Sequence, residues 1–78
     1  METDNNENEF EKIILNKKTP FLVKHFKGGI YKVIGFPLHT ETNEMFVYYK
    51  CVKNGKEFIR PLKMFCELVG DRFRFTLI

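Results

Sequence analysis

Apolar and polar positions along the chain change period at Pro20, and the elements follow that change. Phe10, Ile13 and Ile14 fall at i, i+3 and i+4 with Leu15 beside them. This spacing predicts a short amphipathic helix over residues 9–16, with Asn6 or Asn8 as its N-cap. A helix of this length is marginal in water alone, so it must dock; undocked, its stripe becomes a partner-binding or dimerising patch. The residues before it, METDNNENE, carry too few apolar side chains to bury and are expected to be frayed or disordered. Pro20 is the firmest stop to the helix.

After Pro20 the pattern is that of strands. Phe21 to Phe26 reads as a short strand and Lys27-Gly28-Gly29 as a turn. Ile30 to Thr40 reads as a long strand, with Ile30, Ile34, Phe36 and Leu38 on one face and Tyr31, Val33 and His39 on the other. Gly35 and Pro37 predict a bulge or bend within it. Met45 to Lys53 returns antiparallel after a polar turn. Asn54-Gly55 is the sequence of a two-residue type I′ hairpin, which places Val52 opposite Glu57, Cys51 opposite Phe58, Lys50 opposite Ile59 and Tyr49 opposite Arg60. Pro61 opens a turn or single helical turn through Phe65, Cys66 to Val69 resumes as a strand, Gly70-Asp71 turns, and Arg72 to Ile78 closes the chain with Phe73, Phe75 and Leu77 on one face. Short strands with one helical turn before the last two predict an all-β fold with a short N-terminal helix, a small five-stranded SH3-like barrel. The chain divides into an acidic tail with the helix, residues 1–19, and a barrel domain, residues 20–78.

Composition narrows the function. Seventy-eight residues make one domain with a thin core, since a chain of this size buries only about 60% of the surface it exposes unfolded. Nine Phe and three Tyr enlarge that core without any Trp. Residues 1–19 carry a net charge of −2 and residues 20–78 a net of +5. The basic body favours anionic partners, against the plainer reading of a solubilising surface charge. Cys51 and Cys66 are too few for a disulfide framework, the N-terminus is polar in place of an apolar leader, and no run is long enough to span a bilayer. A cytoplasmic protein with reduced thiols and no membrane contact is expected.

Several short strings together identify a resemblance. HFKGGIYKVIGFPLHTET, the VYY of the Met45 strand, IRPLKMF at Ile59 to Phe65 and the closing RFRF resemble the bacterial and phage family catalogued as domain of unknown function 1653, over about residues 24–78. The resemblance implies a compact SH3-like barrel in a cytoplasmic setting and brings no agreed activity. The family pattern falls on His25, Lys27, Gly28, Tyr31, His39, Glu41, Thr42, Tyr48, Arg60, Pro61, Met64 and Phe65. The chain departs from it at Gly35-Phe36-Pro37 and at Cys51 and Cys66, which are not motif positions; this weighs against a cysteine-based activity.

Residue chemistry excludes more than it selects. His25, His39, Cys51 and Cys66 are spread singly, whereas structural zinc sites draw on close pairs, so no metal or other cofactor is expected. Cys51, read as a small core residue facing Phe58, has nothing to lower its pKa. Lys27-Gly28-Gly29 leads into a strand, not the helix a phosphate loop needs, and no enzyme template survives. What remains is a binding face of His25, Lys27, Tyr31, His39, Tyr48, Tyr49 and Arg60, whose rings offer stacking surfaces for bases and whose cations suit phosphates. Against it stands a plainer reading in which the tyrosines are core, Arg60 stacks on Tyr49 and His39 satisfies the turn at Thr40 to Thr42. The favoured function is a non-enzymatic module for an anionic, base-containing ligand, either a nucleotide-like small molecule or single-stranded nucleic acid. A phage scavenger of host nucleotide signals would be one biological form. The alternative is a protein-interaction or homodimerisation module using the N-terminal helix or a barrel edge.

Overall fold

The structure is a computed structural model and describes residues 9–78. The expected N-cap at Asn6 or Asn8 and the expected disorder before Glu9 lie outside the described residues. Helix α1, Glu9–Leu15, docks: Phe10 and Ile14 are buried, and Phe10 packs on Phe73 with ring centroids 5.5 Å apart. Ile13, expected on the same stripe, is 45% exposed, and Glu11 is buried instead. Successive residues turn by about 100°, so a helix centred on Ile14 carries Phe10 and Glu11 on its flanks and swings Ile13 outward. The helix ends before Pro20 is reached, where the Asn16 amide donates to the Lys12 carbonyl at 2.8 Å.

Five strands form one antiparallel sheet: β1 (Phe21–His25), β2 (Ile30–Gly35), β3 (Phe46–Cys51), β4 (Glu57–Pro61) and, near the C-terminus, β7 (Phe75–Leu77). Their order is β4-β3-β2-β1-β7. Between β4 and β7 lie the helical turn α2 (Leu62–Phe65) and a small hairpin of β5 (Leu68–Val69) and β6 (Arg72–Phe73). The expected closing strand is therefore split at Arg74. Of the five-stranded barrel predicted from sequence, the five antiparallel strands are present, and the pairings among the described residues leave β4 and β7 as edges of the sheet. The space between the two ends is filled by side chains: Phe65 of α2 stacks on Phe75 at 4.1 Å and meets Tyr49 edge-on at 5.2 Å. Phe65, Phe75, Val23, Val33, Val47, Ile14 and Cys66 are the fully buried centre. Among the described residues, no helix is long and apolar enough to cross a membrane.

Two expectations about strand register are corrected. β2 ends at Gly35, not Thr40, because its pairing with β3 slips between Val33 and Gly35; beyond that only a Leu38–Met45 bridge remains. The slip reverses the alternation, so Phe36, expected on the same face as Ile34, packs on the core against Phe21 at 6.5 Å. The β3–β4 hairpin is not a two-residue turn. Cys51 exchanges hydrogen bonds with Lys56 and Gly55 at 2.8 Å each, enclosing residues 52–55. A type I′ turn needs positive φ at both central residues, whereas here Gly55 has it (φ 75°) and Asn54 does not. The register is thus shifted by two: Tyr49 pairs with Phe58 and Val47 with Arg60. A shift of two keeps every side chain on its predicted face. Cys51 consequently pairs with Tyr31 and Lys56 rather than Phe58 and is half-buried; the core cysteine is Cys66.

Candidate aromatic pocket

Alternation along the strands sends Tyr31 and Val33 of β2, Val47 and Tyr49 of β3, and Phe58 and Arg60 of β4 to the inner face of the sheet. The valines and Tyr49 meet α1 and α2 in the core. At the other end of the same face the rings do not close completely. His25, Tyr31, Tyr49, Phe58, Arg60 and Phe75 line a pocket of about 140 Å³. The rings meet mostly edge-on, Tyr31 with Tyr49 at 5.4 Å, Tyr31 with Phe75 at 5.8 Å and His25 with Phe75 at 5.0 Å. Edge-to-face packing locks each ring by its neighbours. Gly29 is part of this arrangement: a Cβ there would lie 3.0 Å from the Tyr31 ring, so a bare backbone lets the ring sit where it does.

Polar atoms enter at fixed points. Arg60 Nε donates to the Tyr49 hydroxyl at 3.4 Å, a diagonal contact across β3 and β4 that survives the changed register. The peptide N–H of Lys27 donates to His25 Nδ1 at 3.1 Å, which requires a neutral ring carrying its proton on Nε2. Burial, and after it the positive charges of Arg74, Arg60 and Lys27, lower the His25 pKa. Beside the pocket, Phe26 stacks on His25 at 4.7 Å and carries two cations, Lys27 Nζ and the Arg72 guanidinium, each 5.8 Å from its centroid. Arg74 is held by Glu67 at 2.7 Å and by the Met64 carbonyl at 3.3 Å. The pocket is therefore an aromatic box with a basic rim and no carboxylate among its lining side chains.

Of the residues predicted from sequence, His25, Tyr31, Tyr49 and Arg60 come together here, with Lys27 on the adjoining turn. His39 and Tyr48 do not. Tyr48 is on the outer face, where its hydroxyl donates to Glu57 and that bond raises its pKa. His39, expected on the side of Tyr31, is displaced by the bulge; its Nδ1 accepts from the peptide N–H groups of Glu41 and Thr42 at 3.2 and 3.4 Å. That is the turn-satisfying role weighed against binding. Its ring instead borders a second, apolar pocket of about 220 Å³ with Pro37, Leu38, Phe46 and Ile59, larger but without the convergent polar groups that give the inner pocket its chemistry. Phe58 and Phe75 were missed as site residues. The four-residue loop would have placed Phe58 beside Tyr49, whereas Phe75 arrives only through the pairing of β7 with β1, opposite His25.

Cys66 is fully buried, and burial, with the charge of Glu11 behind it, pushes its thiol up to about 12. Among the described residues no group of three or more His, Cys, Asp or Glu side chains is placed to hold a metal ion.

Comparison with known proteins gives a family and no more. No curated protein and no solved structure matches the chain. The family described as "Protein of unknown function (DUF1653)" matches residues 22–76, which take in every residue lining the aromatic pocket and all of the strands but the first residue of β1 and the last of β7. The chain belongs to that family, DUF1653.

Proposed function

We propose that this protein is a non-enzymatic binding module for an anionic, base-containing ligand, a nucleotide-like small molecule or a single-stranded nucleic acid, which seats a base in the aromatic box and phosphate on the basic rim. The box of His25, Tyr31, Tyr49, Phe58 and Phe75 with Arg60 at its polar side is the observation that carries this reading. Its volume argues for a small occupant: about 140 Å³ is several times the roughly 30 Å³ of a water molecule, yet well short of the roughly 300 Å³ where drug-sized pockets begin. One planar ring system fits, and the rest of the ligand must lie outside, toward Lys27 and Arg72. A base on such rings gains roughly 1–3 kcal/mol from stacking. The buried, strongly raised Cys66 thiol supports binding over nucleophilic catalysis. Strands β1 to β4 adjacent in sequence order, with β7 beside β1, support reading the sheet as an opened SH3-like barrel.

Isothermal titration of the full chain with nucleoside monophosphates and a short single-stranded oligonucleotide, at two salt concentrations, tests the proposal. Arg60→Ala combined with Tyr49→Phe should abolish binding while the melting transition is retained. Affinity for the oligonucleotide should fall steeply with salt if several phosphates are neutralised, and that for a mononucleotide only gently. Undiminished binding by the double variant would sink the assignment of the pocket.

The second reading, a protein-interaction module, rests on the outer face. Leu38 and Ile59 are 53% and 63% exposed beside the apolar pocket, and Ile59 belongs to the edge strand β4. Burial of Phe10 and Ile14 in the core turns this reading toward the sheet edge and away from the helix. Ile59→Glu would remove a partner or a dimer under this reading and leave nucleotide titrations unchanged.

A further inference from the structure

We infer that the pocket selects bases bearing a ring carbonyl, the oxo type found in uracil and hypoxanthine, over the amino type found in cytosine and adenine. The inference deepens the binding proposal above and rests on it. Its ground is the polarity of the lining. Arg60 spends Nε on the Tyr49 hydroxyl and retains its terminal N–H groups, which can only donate. His25 spends Nδ1 on the Lys27 peptide, which leaves Nε2 as a donor. The Tyr49 oxygen already accepts from Arg60, which leaves its own O–H to donate. Phe58 and Phe75 offer only rings, and the remaining polar group is the Tyr31 hydroxyl. Among the described residues, no Asp, Glu, Asn or Gln lines the pocket to accept from an exocyclic amine.

A base entering this box therefore meets donors at two or three points. A carbonyl oxygen satisfies them; an amino group sets donor against donor at Arg60 and His25 and has only the tyrosine hydroxyl oxygens left as side-chain acceptors, in a site walled by aromatic rings, where an unmade hydrogen bond costs most. Arg suits this reading, since its terminal N–H groups can take O6 and N7 of hypoxanthine together, or the single O4 carbonyl of uracil.

Two matched pairs isolate the effect. Uridine and cytidine 5′-monophosphates differ at the 4-oxo or 4-amino group and the adjoining ring N–H, and inosine and adenosine 5′-monophosphates differ in the same way at position 6. Titrated against the full chain at one salt concentration, the oxo member should bind about tenfold more tightly in both pairs, as good base-edge hydrogen bonding elsewhere discriminates. Arg60→Gln presents an amide that both donates and accepts, so it should draw each ratio toward unity; a thermal melt reports whether the variant is folded, and the wild-type ratios test the inference without it. Equal affinities within each pair, or preference for the amino member, overturn the oxo selectivity while leaving the binding module standing. Failure of all four nucleotides to bind overturns both.

Discussion

Burial and the guanidinium groups of Arg74 and Arg60 hold the His25 imidazole below its ordinary pKa of 6.5, with Lys27 adding to them. The same ring accepts the Lys27 peptide N–H, a bond that only the neutral form makes. The folded state therefore binds fewer protons than the unfolded chain between the folded pKa and 6.5. Its contribution to stability is complete above pH 6.5 and is lost as pH falls through the lowered folded value. Denaturation midpoints measured from pH 7.5 downward should decline in this window in the wild type, and His25→Phe should flatten that part of the decline. A midpoint that falls equally in both proteins would remove His25 as the cause. Four of the seven side chains chosen from residue type alone meet in the pocket, since cations and rings at alternate strand positions share a face. Alternation alone puts Tyr48 on the face opposite Tyr49, whereas His39 was not separable in sequence, because the bulge after Val33 decides where it points.

The elements put weight on particular positions. In α1, Ile14 is fully buried while Ile13 is 45% exposed, although both belong to the apolar stripe seen in sequence. Ile14→Ala should cost about 2–5 kcal/mol, as large-to-small changes in cores do, and Ile13→Ala well under 1 kcal/mol. Urea denaturation of the two variants checks this; equal effects would mean that the helix does not dock by this face. In the β3–β4 hairpin, Gly55 holds φ 75° at the end of the four-residue loop. Gly55→Ala should destabilise by about 1–2 kcal/mol through backbone strain alone, since a Cβ there meets nothing within 4 Å. A thermal melt unchanged by this substitution would contradict the loop geometry. Asn54-Gly55 located the turn correctly, but its two residues are compatible with more than one loop length, and the choice depends on which carbonyl the Gly55 N–H reaches.

For the molecule as a whole, site and core are one body of side chains. Tyr49 and Phe75 line the pocket and are 5% and 1% exposed, and the Phe65–Phe75 stack lies directly behind them. A chain of this length has roughly 4–12 kcal/mol of stability to lose, and Phe65→Ala should remove about 3–5 of it. It should therefore lose ligand binding without touching the ligand, in step with the fraction unfolded in a melt followed by near-ultraviolet circular dichroism. Retained near-ultraviolet structure with lost binding would point to a direct role for Phe65 instead. Rings packed edge to edge also fix the shape of the pocket through the same contacts that hold the core.

The sequence by itself determined the order of the strands through β4, the turn positions and which residues share a face in β2 before its slip and in β3 and β4, because these depend on local backbone preferences and on a period of two, and its motifs identified the family. Tertiary structure alone decided the roll of α1, the slip that diverts His39, the open sheet edges and the arrival of Phe75 beside His25. Those depend on packing between residues far apart in the chain, where volume, not pattern, selects the arrangement. The Tyr49–Arg60 contact belongs to both: strand alternation put the two residues on one face, and the four-residue loop made their meeting diagonal.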